Sequence, residues 1–325
     1  MLGRRVSSKI GSRPPEEFWG TLQPELLGCD GVIGNLESPI TTNVEPWSKT
    51  WKAFHFRAAP EATDLLNLAN VRMVNLANNH IMDFGERGLL DTRTHLTRAS
   101  IAYAGAGGNA AEALAPAIRR IGHLNVGLIG ITDNMREWAA DGERAGTNHM
   151  SIRGDHATRS LIRMSVDTAR RQGANCVVLS VHWGPNLRTR PTTRFQRFAR
   201  NAIEDGVDVV HGHSAHLIQG IEIYKRGVIL YDTGDFMSDY WVFPGIRTDR
   251  SALFQIEFQD RYATVVTAVP VSLQPAVTGL ATGREFQAIC DCLTRRSRAL
   301  GTVSTITGSL IKISVGEAMQ VSSHT

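Results

Sequence analysis

The 325-residue sequence predicts an α/β fold, in which strands and helices alternate along the chain. Apolar runs of strand length recur through the first two thirds of the sequence, and helical patterns lie between them. Such alternation is typical of sheets whose strands are joined mainly by helical crossovers. Because no internal repeat or linker interrupts the pattern, we predict one domain over residues 1–325. Its motif-bearing part spans residues 1–236, and a β-rich part with a helix spans residues 237–325.

The individual elements follow from hydrophobic periodicity and from the residues that end each run. Two helical patterns end on Gly173 and Gly206, the residue type expected just past a helix C-terminus. After the fifth strand the rhythm changes to two hairpins, which turn at residues 225–227 and near residues 260–261, and then to a helix around residues 283–299. Together these elements predict α, β, β and α layers. The predicted strands are residues 30–35, 71–77, 125–132, 176–182 and 207–213, and the helices between them are residues 60–70, 88–99, 156–173 and 193–206.

The composition is that of a globular protein with a mild positive charge. The net charge is +4 and the pI is about 9.0, and the arginines that cause the excess are dispersed along the chain. Dispersed charge is typical of a solvated surface, so we do not predict nucleic acid as a partner, and an anionic substrate is the better use of a weak positive field. The sequence contains no apolar run long enough to span a membrane and no apolar signal region near its beginning. As written, it predicts a cytoplasmic protein.

Polar side chains follow four of the five predicted strands, at the point where each strand ends. In open α/β sheets, sites form beyond the carboxyl ends of the strands, so these side chains are expected to converge. Imidazole, carboxylate and amide-oxygen ligands together suit manganese, iron or zinc better than calcium or magnesium. A single histidine at a strand end is more often a hydrogen-bonded structural residue, but recurrence at four strand ends favours a metal site. The residues are Asn35 and Glu37, Asn79 and His80, His182, and His211, His213 and His216.

The order and spacing of several motifs resemble those of one known family. The motifs are GNLESPIT, NLANNHIMDFGERGLLDT, AGAGGNAAEALAP, SVHWG and GVDVVHGHSAHLIQGIEIYKRGVILYDTGDF. Over residues 1–236 the chain resembles the CapA family of poly-γ-glutamate capsule-synthesis proteins, which belong to the calcineurin-like metallophosphoesterase superfamily. The resemblance implies a four-layer α/β/β/α sandwich and a centre that holds two divalent transition metals, manganese, iron or zinc. Two metals about 3.5–4 Å apart can share and activate a water molecule.

The resemblance also implies a role for the residues at the strand ends. Glu37 resembles the bridging acidic ligand, and Asn79 resembles the amide-oxygen ligand. His80 resembles the histidine that faces the leaving group, as an acid or as a stabiliser of the transition state. Asp83 either orients His80 or starts the following helix, and the sequence leaves both roles open. The residues that resemble the histidine ligands are His182, His213 and His216.

Further polar residues complete the predicted site. Arg188 and Arg190 follow the HWG motif closely, and they either bind substrate carboxylates bidentately or belong to a solvated basic loop. Asn35 is a third predicted substrate contact. His211 and Asp235 are expected to surround the ligands. Asp235 stands where the family usually has an asparagine, and it either orients a ligating histidine or caps a turn.

The beginning of the sequence departs from the family pattern. Family members normally have a strand ending in Gly-Asp directly before the MLGR segment, and that aspartate is a metal ligand, whereas this sequence begins at Met1. We therefore expect one of two explanations. Either the start lies further upstream, with a membrane anchor or signal and an extracytoplasmic location, or the site lacks this ligand. Without the strand, an apolar sheet edge should be left unpaired.

These observations favour a metal-dependent hydrolase that acts on an amide or ester bond of an anionic peptide or polymer. The resemblance implies a poly-γ-glutamate-like substrate and, as partners, capsule-synthesis membrane proteins. One alternative is a non-catalytic scaffolding component of polymer assembly with an impaired metal site. Another is a phosphoesterase, which rests on the chemistry of the superfamily alone.

Overall fold

The computed structural model describes residues 1–239, 242 and 245–315 of the chain. The helices are α1 (Arg4–Lys9), α2 (Glu16–Trp19), α3 (Gln23–Leu27), α4 (Ala62–Leu68), α5 (Gly85–Arg98), α6 (Ala110–Leu114), α7 (His156–Arg171), α8 (Thr193–Glu204) and α9 (Gly283–Arg298). The strands of the first two thirds are β1 (Val32–Asn35), β2 (Val71–Asn75), β3 (Ala102–Ala104), β4 (Ala106–Gly107), β5 (Ala117–Ile121), β6 (Leu124–Thr132), β7 (Gly146–Thr147), β8 (Cys176–His182) and β9 (Val209–His213). The later strands are β10 (Ile221–Tyr224), β11 (Gly227–Leu230), β12 (Arg250–Gln259), β13 (Tyr262–Gln274), β14 (Val277–Leu280), β15 (Thr305–Thr307) and β16 (Leu310–Ser314).

The alternation predicted from periodicity is confirmed. The five predicted strands correspond to β1, β2, β6, β8 and β9, and the four helices predicted between them correspond to α4, α5, α7 and α8. Asp155 and Thr192 cap the N-termini of α7 and α8, because their side chains accept hydrogen bonds from backbone N–H groups three residues on. Both predicted hairpins are present, and their turns place Lys225 and Asp260 at positive φ. Seven strands of the described residues were not predicted individually: β3, β4, β5, β7, β14, β15 and β16.

The strands form several separate sheets. Sheet one contains three parallel strands in the order β1-β2-β3. Sheet two contains six strands in the order β10-β11-β9-β8-β6-β5, and its four inner strands are parallel. Sheet three is antiparallel, in the order β12-β13-β16-β15, with β14 beside β13. Strands β4 and β7 pair separately, so the architecture is mixed α/β with multiple sheets.

The apolar cores show how helices and sheets pack. Met73 of β2, Val178 of β8 and Val266 of β13 share one core, so the three sheets pack around it. Leu179, the residue of β8 after Val178, points to the opposite face of the sheet. It joins a second core with Ile162 of α7, so α7 covers that face of sheet two. Leu89 of α5 belongs to a third core, against sheet one. Within the residues that the structure describes, no helix has the length and apolar character needed to cross a membrane.

A cavity of about 740 Å³ lies between the free edges of two strands. Among the described residues, β1 pairs only with β2, and β12 pairs only with β13, so each strand has one unpaired edge. Residues of both edges line the cavity, together with apolar side chains of sheet two such as Val126, Val209 and Leu230. In this part of the chain, the unpaired edges of β1 and β12 therefore face a common cavity.

Candidate functional site

The polar residues that end the predicted strands converge at one edge of the sheets. Strands β8 and β9 are parallel neighbours, and their register places His182 opposite His213. Strands β1 and β2 are also parallel neighbours, and Asn35 lies opposite Asn75. Glu37, just beyond β1, brings its Oε1 atom to 3.9 Å from Nε2 of His182, which joins the strand ends of sheets one and two. The convergence expected from the sequence is confirmed for these positions.

Three histidines of sheet two form the centre of the site. His182 Nδ1 lies 3.0 Å from His213 Nδ1, and Ser180 Oγ lies 3.0 Å from His213 Nε2 and 3.0 Å from His211 Nδ1. Burial lowers the pKa of His182 and the pKa of His211 to about 4, and it also lowers the pKa of His213 well below its usual value. At neutral pH these imidazoles are therefore uncharged, and each retains a lone pair that a cation can accept.

Glu37 supplies the negative charge of this cluster and is only 7% exposed. Burial acts to raise the pKa of its carboxyl group, but charge interactions with His182, which is protonated in the acid range where this carboxyl group titrates, and with His216 outweigh burial and lower that pKa to about 2. The carboxylate is therefore ionised at neutral pH. Its Oε1 atom is buried and has no hydrogen-bond partner in the described part of the chain.

Two aspartates hold the segment that carries His216. Burial acts to lower the pKa of His216, but Asp235, whose Oδ1 lies 2.7 Å from Nδ1 of the imidazole, outweighs burial and raises that pKa to about 10. Asp232 accepts hydrogen bonds from the N–H groups of Ala215, at 2.7 Å, and Gly234, at 2.9 Å. His216 itself has a φ of 58°. The contact favours the orienting role for Asp235 over the alternative of a turn cap. Asp232, which the sequence analysis did not single out, ties the backbone before His216 to the backbone before Asp235.

A network of amides joins the end of β1 to the turn after β2. Asn78 Nδ2 donates to Asn35 Oδ1 at 3.1 Å and to the Leu36 carbonyl at 2.8 Å, and Asn75 Nδ2 donates to Asn35 Oδ1 at 3.3 Å. The Asn35 oxygen is therefore engaged within the fold, and a contact of Asn35 with substrate stays a prediction. Asn79 Oδ1 is instead buried without a hydrogen-bond partner among the described residues, as the amide-oxygen ligand of a cation would be.

Asp83 contacts His80 directly, in agreement with one of its two predicted roles. His80 Nδ1 lies 2.7 Å from Asp83 Oδ2, and the Asp83 side chain is fully buried. Helix α5 begins at Gly85, its N-cap residue is Phe84, and no side-chain hydrogen bond caps it. The structure therefore favours an orienting role for Asp83 and does not support the alternative that it starts the helix.

Lys52 belongs to the site, and the sequence analysis missed it. Its ammonium group pairs with Asp83 Oδ1, donates to the carbonyl of Asn79 and lies 2.9 Å from His80 Nδ1. It also lies 4.9 Å from the centre of the Trp138 ring. Burial lowers the pKa of Lys52, and the Asp83 carboxylate opposes that shift. Lys52 lies in a segment without regular secondary structure, so no periodic pattern marks it. The one local feature that could have indicated it is its position among the aromatic residues of KTWKAFHF.

Arg188 and Arg190 lie at the rim of the site, on the exposed loop between β8 and α8. The Leu187 N–H donates to the Ala215 carbonyl at 2.9 Å, and Gln219 Nε2 donates to the Arg188 carbonyl at 2.8 Å. These contacts place the loop beside the segment that follows β9. The structure does not bring the two arginines into the buried cluster, so substrate binding by them stays a prediction.

The donor set has the chemistry of a cation site. Three buried oxygens at this place have no hydrogen-bond partner among the described residues: Glu37 Oε1, Asn79 Oδ1 and Asp235 Oδ2. An unsatisfied buried acceptor costs about 1–3 kcal/mol, and a bound cation would offset that cost. In the described ranges, however, no three His, Cys, Asp or Glu side chains lie close enough to hold an ion as they stand. The residues fit a metal by their chemistry, and the side chains would have to close around it.

The chain is similar in sequence to proteins whose names refer to capsule or polymer synthesis. Residues 1–240 match the family model described as bacterial capsule synthesis protein PGA_cap. The chain is 28% identical over 277 residues to "Capsule biosynthesis protein CapA" of Bacillus anthracis, covering 84% of this chain and 66% of that protein. It is 26% identical over 279 residues to "PGA biosynthesis protein CapA" of Bacillus subtilis, covering 85% and 70%. It is 33% identical over 264 residues to a "Probable polyglutamine synthesis accessory protein" of Mycobacterium tuberculosis, covering 77% and 68%. The chain thus spans about two thirds of the length of these relatives.

Proposed function

Because the chain belongs to the bacterial capsule synthesis protein family PGA_cap, we propose that it is a metal-dependent hydrolase of an amide or ester bond in a poly-γ-glutamate-like chain. One observation carries the proposal. The buried, unsatisfied oxygens of Glu37 and Asn79 lie at the strand ends, together with the uncharged imidazoles of His182 and His213. A purely structural polar cluster would satisfy such oxygens with hydrogen bonds. Oxygen and imidazole donors in this mixture are ligands that manganese, iron and zinc accept.

We also propose that the sheets and helices form the four-layer α/β/β/α sandwich of the metallophosphoesterase superfamily, with the centre at the ends of the strands. Asp235 contacts Nδ1 of His216 and orients the ring that would bind the metal. His211 supports the centre through Ser180. When bound, divalent metals supply Lewis-acid polarisation and activate water for attack. The residues that would hold two such ions are Glu37, Asn79, His182, His213 and His216.

His80 is the proposed proton donor to the leaving group. Its Nδ1 is held by Asp83 and Lys52, and it directly follows Asn79 in the chain, which places it beside the cluster. The ring of Phe56 packs edge-on against the imidazole, with 4.5 Å between ring centroids, and restricts its rotation. A general acid needs a ring with one nitrogen held and the other directed at the reacting atoms.

The proposed substrate is anionic, because the chain carries a net charge of +4 and presents arginines at the rim of the site. Arg188 and Arg190 would bind carboxylates of the polymer with their planar guanidinium groups. In polymer assembly, the proposed partners are capsule-synthesis membrane proteins.

Metal content and turnover of matched variants test the proposal. Elemental analysis of the purified chain should find divalent transition metal, and His182→Ala should lose it. His80→Ala should retain the metal and lose most of the turnover of γ-linked glutamate peptides. His156→Ala, which removes an exposed histidine at the start of α7, is the control and should change neither quantity. A chain extended upstream by a segment ending in Gly-Asp, analysed in parallel, reports whether a further ligand raises the metal content.

The outcomes separate the candidate functions. Metal-dependent cleavage of γ-linked peptides in preference to generic phosphoesters supports the proposal. Cleavage of phosphoesters alone would assign the site to a phosphoesterase. A chain that binds metal and turns over neither class, or one that binds no metal, would instead be a scaffolding component of polymer assembly.

A further inference from the structure

Residues 42–57 form an irregular loop that is fastened to Asp83 at two points. The Trp47 N–H donates to the Asp83 carbonyl at 2.8 Å, and the Phe56 N–H donates to Asp83 Oδ2 at 2.6 Å. Asp83 is fully buried, and its Oδ2 lies 2.7 Å from Nδ1 of His80. Because both anchors are backbone hydrogen bonds to this buried residue, the loop is held beside the proposed proton donor.

A row of three rings leads from the imidazole of His80 to the surface of this loop. The Phe56 ring packs edge-on against His80, with 4.5 Å between ring centroids. The Phe54 ring stacks on the Phe56 ring, with 6.4 Å between centroids and 22° between ring planes. Phe56 is only 1% exposed, whereas Phe54 is 61% exposed. The row therefore begins at the candidate site and ends in an apolar ring that solvent reaches.

The length of the row matches the repeat of the proposed substrate. A single exposed apolar ring is common on protein surfaces and does not by itself indicate a ligand, but Phe54 continues a set of contacts that begins at His80. A γ-linked glutamate repeat spans roughly 6 Å, because it inserts two methylene carbons into a repeat of about 3.5 Å. The row is therefore about two repeats long, and a chain that follows it from His80 reaches Phe54.

The backbone of a γ-linked chain suits an exposed phenyl ring. Its two methylene groups lie in the main chain, and its carboxylate branches from the α-carbon, so the methylenes can cover the ring while the carboxylate points away. In an α-linked chain the same methylenes end in the carboxylate, which the electronegative face of the ring repels. Arg4 adds positive charge beside the row. Its guanidinium group lies 5.8 Å from the centre of the Phe56 ring, and its side chain, which pairs with Asp239 at 3.9 Å, is 42% exposed.

We propose that Phe54 is a substrate-contact residue, which binds the main-chain methylene groups of a γ-linked glutamate chain about two repeats from the cleaved bond. The contact lies on the leaving-group side, because the row begins at His80. The identity of the chain and the role of His80 rest on the proposed hydrolase function. The contact itself involves neither a metal nor a proton transfer.

Binding of short glutamate chains to the metal-free protein tests the proposal without turnover. The full chain is treated with a chelator, and calorimetry gives Kd for γ-linked and α-linked hexaglutamate. Phe54→Ala should raise Kd for the γ-linked chain about fourfold, the effect of burying one methylene group less, and Kd for the α-linked chain by less than about twofold. Phe54→Tyr keeps the ring and should bind as the wild type does. Tyr262→Ala, which removes an exposed ring at the hairpin of β12 and β13, is the control and should change neither Kd.

Saturation-transfer NMR detects the contact itself. The protein is deuterated except for the rings of its phenylalanines, and these ring protons are irradiated. Saturation should pass to the methylene protons of γ-linked hexaglutamate in the wild type and in Tyr262→Ala. It should be lost in Phe54→Ala. If Phe54→Ala does not fold, as judged by its melting curve, the wild-type spectrum still decides, because absence of transfer there overturns the proposal.

Three results of the binding measurement would also overturn it. They are no binding of the γ-linked chain by the wild type, an unchanged Kd in Phe54→Ala, and equal weakening of both chains in that variant. These failures are distinct from failure of the hydrolase proposal. A wild type that binds through Phe54 but cleaves nothing after metal is restored overturns only the hydrolase. Cleavage together with an unchanged Kd in Phe54→Ala overturns only the role of Phe54.

Discussion

Replacing Asp83 alone should destabilise the fold far more than replacing Asp83 together with Lys52. Asp83→Asn keeps the size of the side chain but removes its charge, which leaves the Lys52 ammonium group buried beside an amide. Lys52→Met keeps the apolar stem and leaves the Asp83 carboxylate buried without its cation. The double variant D83N/K52M removes both charges at once.

The burial of both side chains determines how much each substitution should lower the free energy of unfolding. The side chain of Asp83 is 0% exposed and that of Lys52 is 10% exposed, so solvent screens neither charge effectively. Removing one partner of a buried ion pair costs about 3–5 kcal/mol, because the remaining charge is uncompensated. The double variant leaves no buried charge, so its free energy of unfolding should fall by only about 1–2 kcal/mol, through altered hydrogen bonds. The cycle should therefore show a coupling of at least about 2 kcal/mol.

Urea unfolding of the four chains at neutral pH measures these free energies. The exposed pair of Lys225 and Glu204, whose side chains are 59% and 30% exposed, provides a matched control. A cycle of K225M and E204Q should give a coupling below about 1 kcal/mol. If Asp83→Asn costs less than about 1 kcal/mol and its effect adds to that of Lys52→Met, the buried pair is not charged, and the reasoning fails.

The remaining predictions concern the metal, the cavity and the rim. Apparent metal affinity should rise by about tenfold per pH unit up to pH 9, because His216, whose pKa Asp235 raises to about 10, must lose a proton to bind a cation. Calorimetric titrations at three pH values measure this slope, and Asp235→Asn should flatten it; a slope that persists in the variant would contradict the assignment. Ala252→Leu adds apolar atoms to the cavity beside β12 and should raise the free energy of unfolding in urea by about 1 kcal/mol, whereas a loss of stability would mean that the lining cannot accommodate them. Arg190→Ser should raise KM for an anionic peptide at unchanged kcat, and the difference should shrink at high salt; an unchanged KM would place Arg190 in a solvated loop.

Strand positions could be predicted where the residues of the strand itself form an apolar run. β8 is buried throughout, so it appears in the sequence as a continuous apolar run, and the histidine that ends it is conspicuous. β5 escaped prediction because it lies at the edge of sheet two and contains Arg119 and Arg120. Charged residues are common on edge strands, where one side is open to solvent, and there they conceal the strand from any analysis of apolar runs.

The residues that position the site could not be predicted in this way. Lys52 lies in a segment without periodicity, and its partners follow it in the chain after an intervening helix and strand. Asp232 acts on backbone N–H groups, which every residue except proline has, so no particular side chain marks its partners. Roles of this kind depend on which segments the fold brings together, and a pattern within one segment does not contain that information.

The site contains polar groups that are hydrogen-bonded within the fold and, beside them, buried oxygens that have no hydrogen-bond partner among the described residues. The hydrogen bonds of Asn78 to Asn35 and to the backbone hold the end of β1 and the turn after β2 in place. The residues beside them, Glu37 and Asn79, nevertheless have buried oxygens without partners. Each such oxygen costs about 1–3 kcal/mol as long as it has no partner. Stability is therefore lost at the atoms that would face a cation and retained at the atoms around them, which is the distribution expected of a site whose supporting hydrogen bonds are formed before its ligands close around an ion.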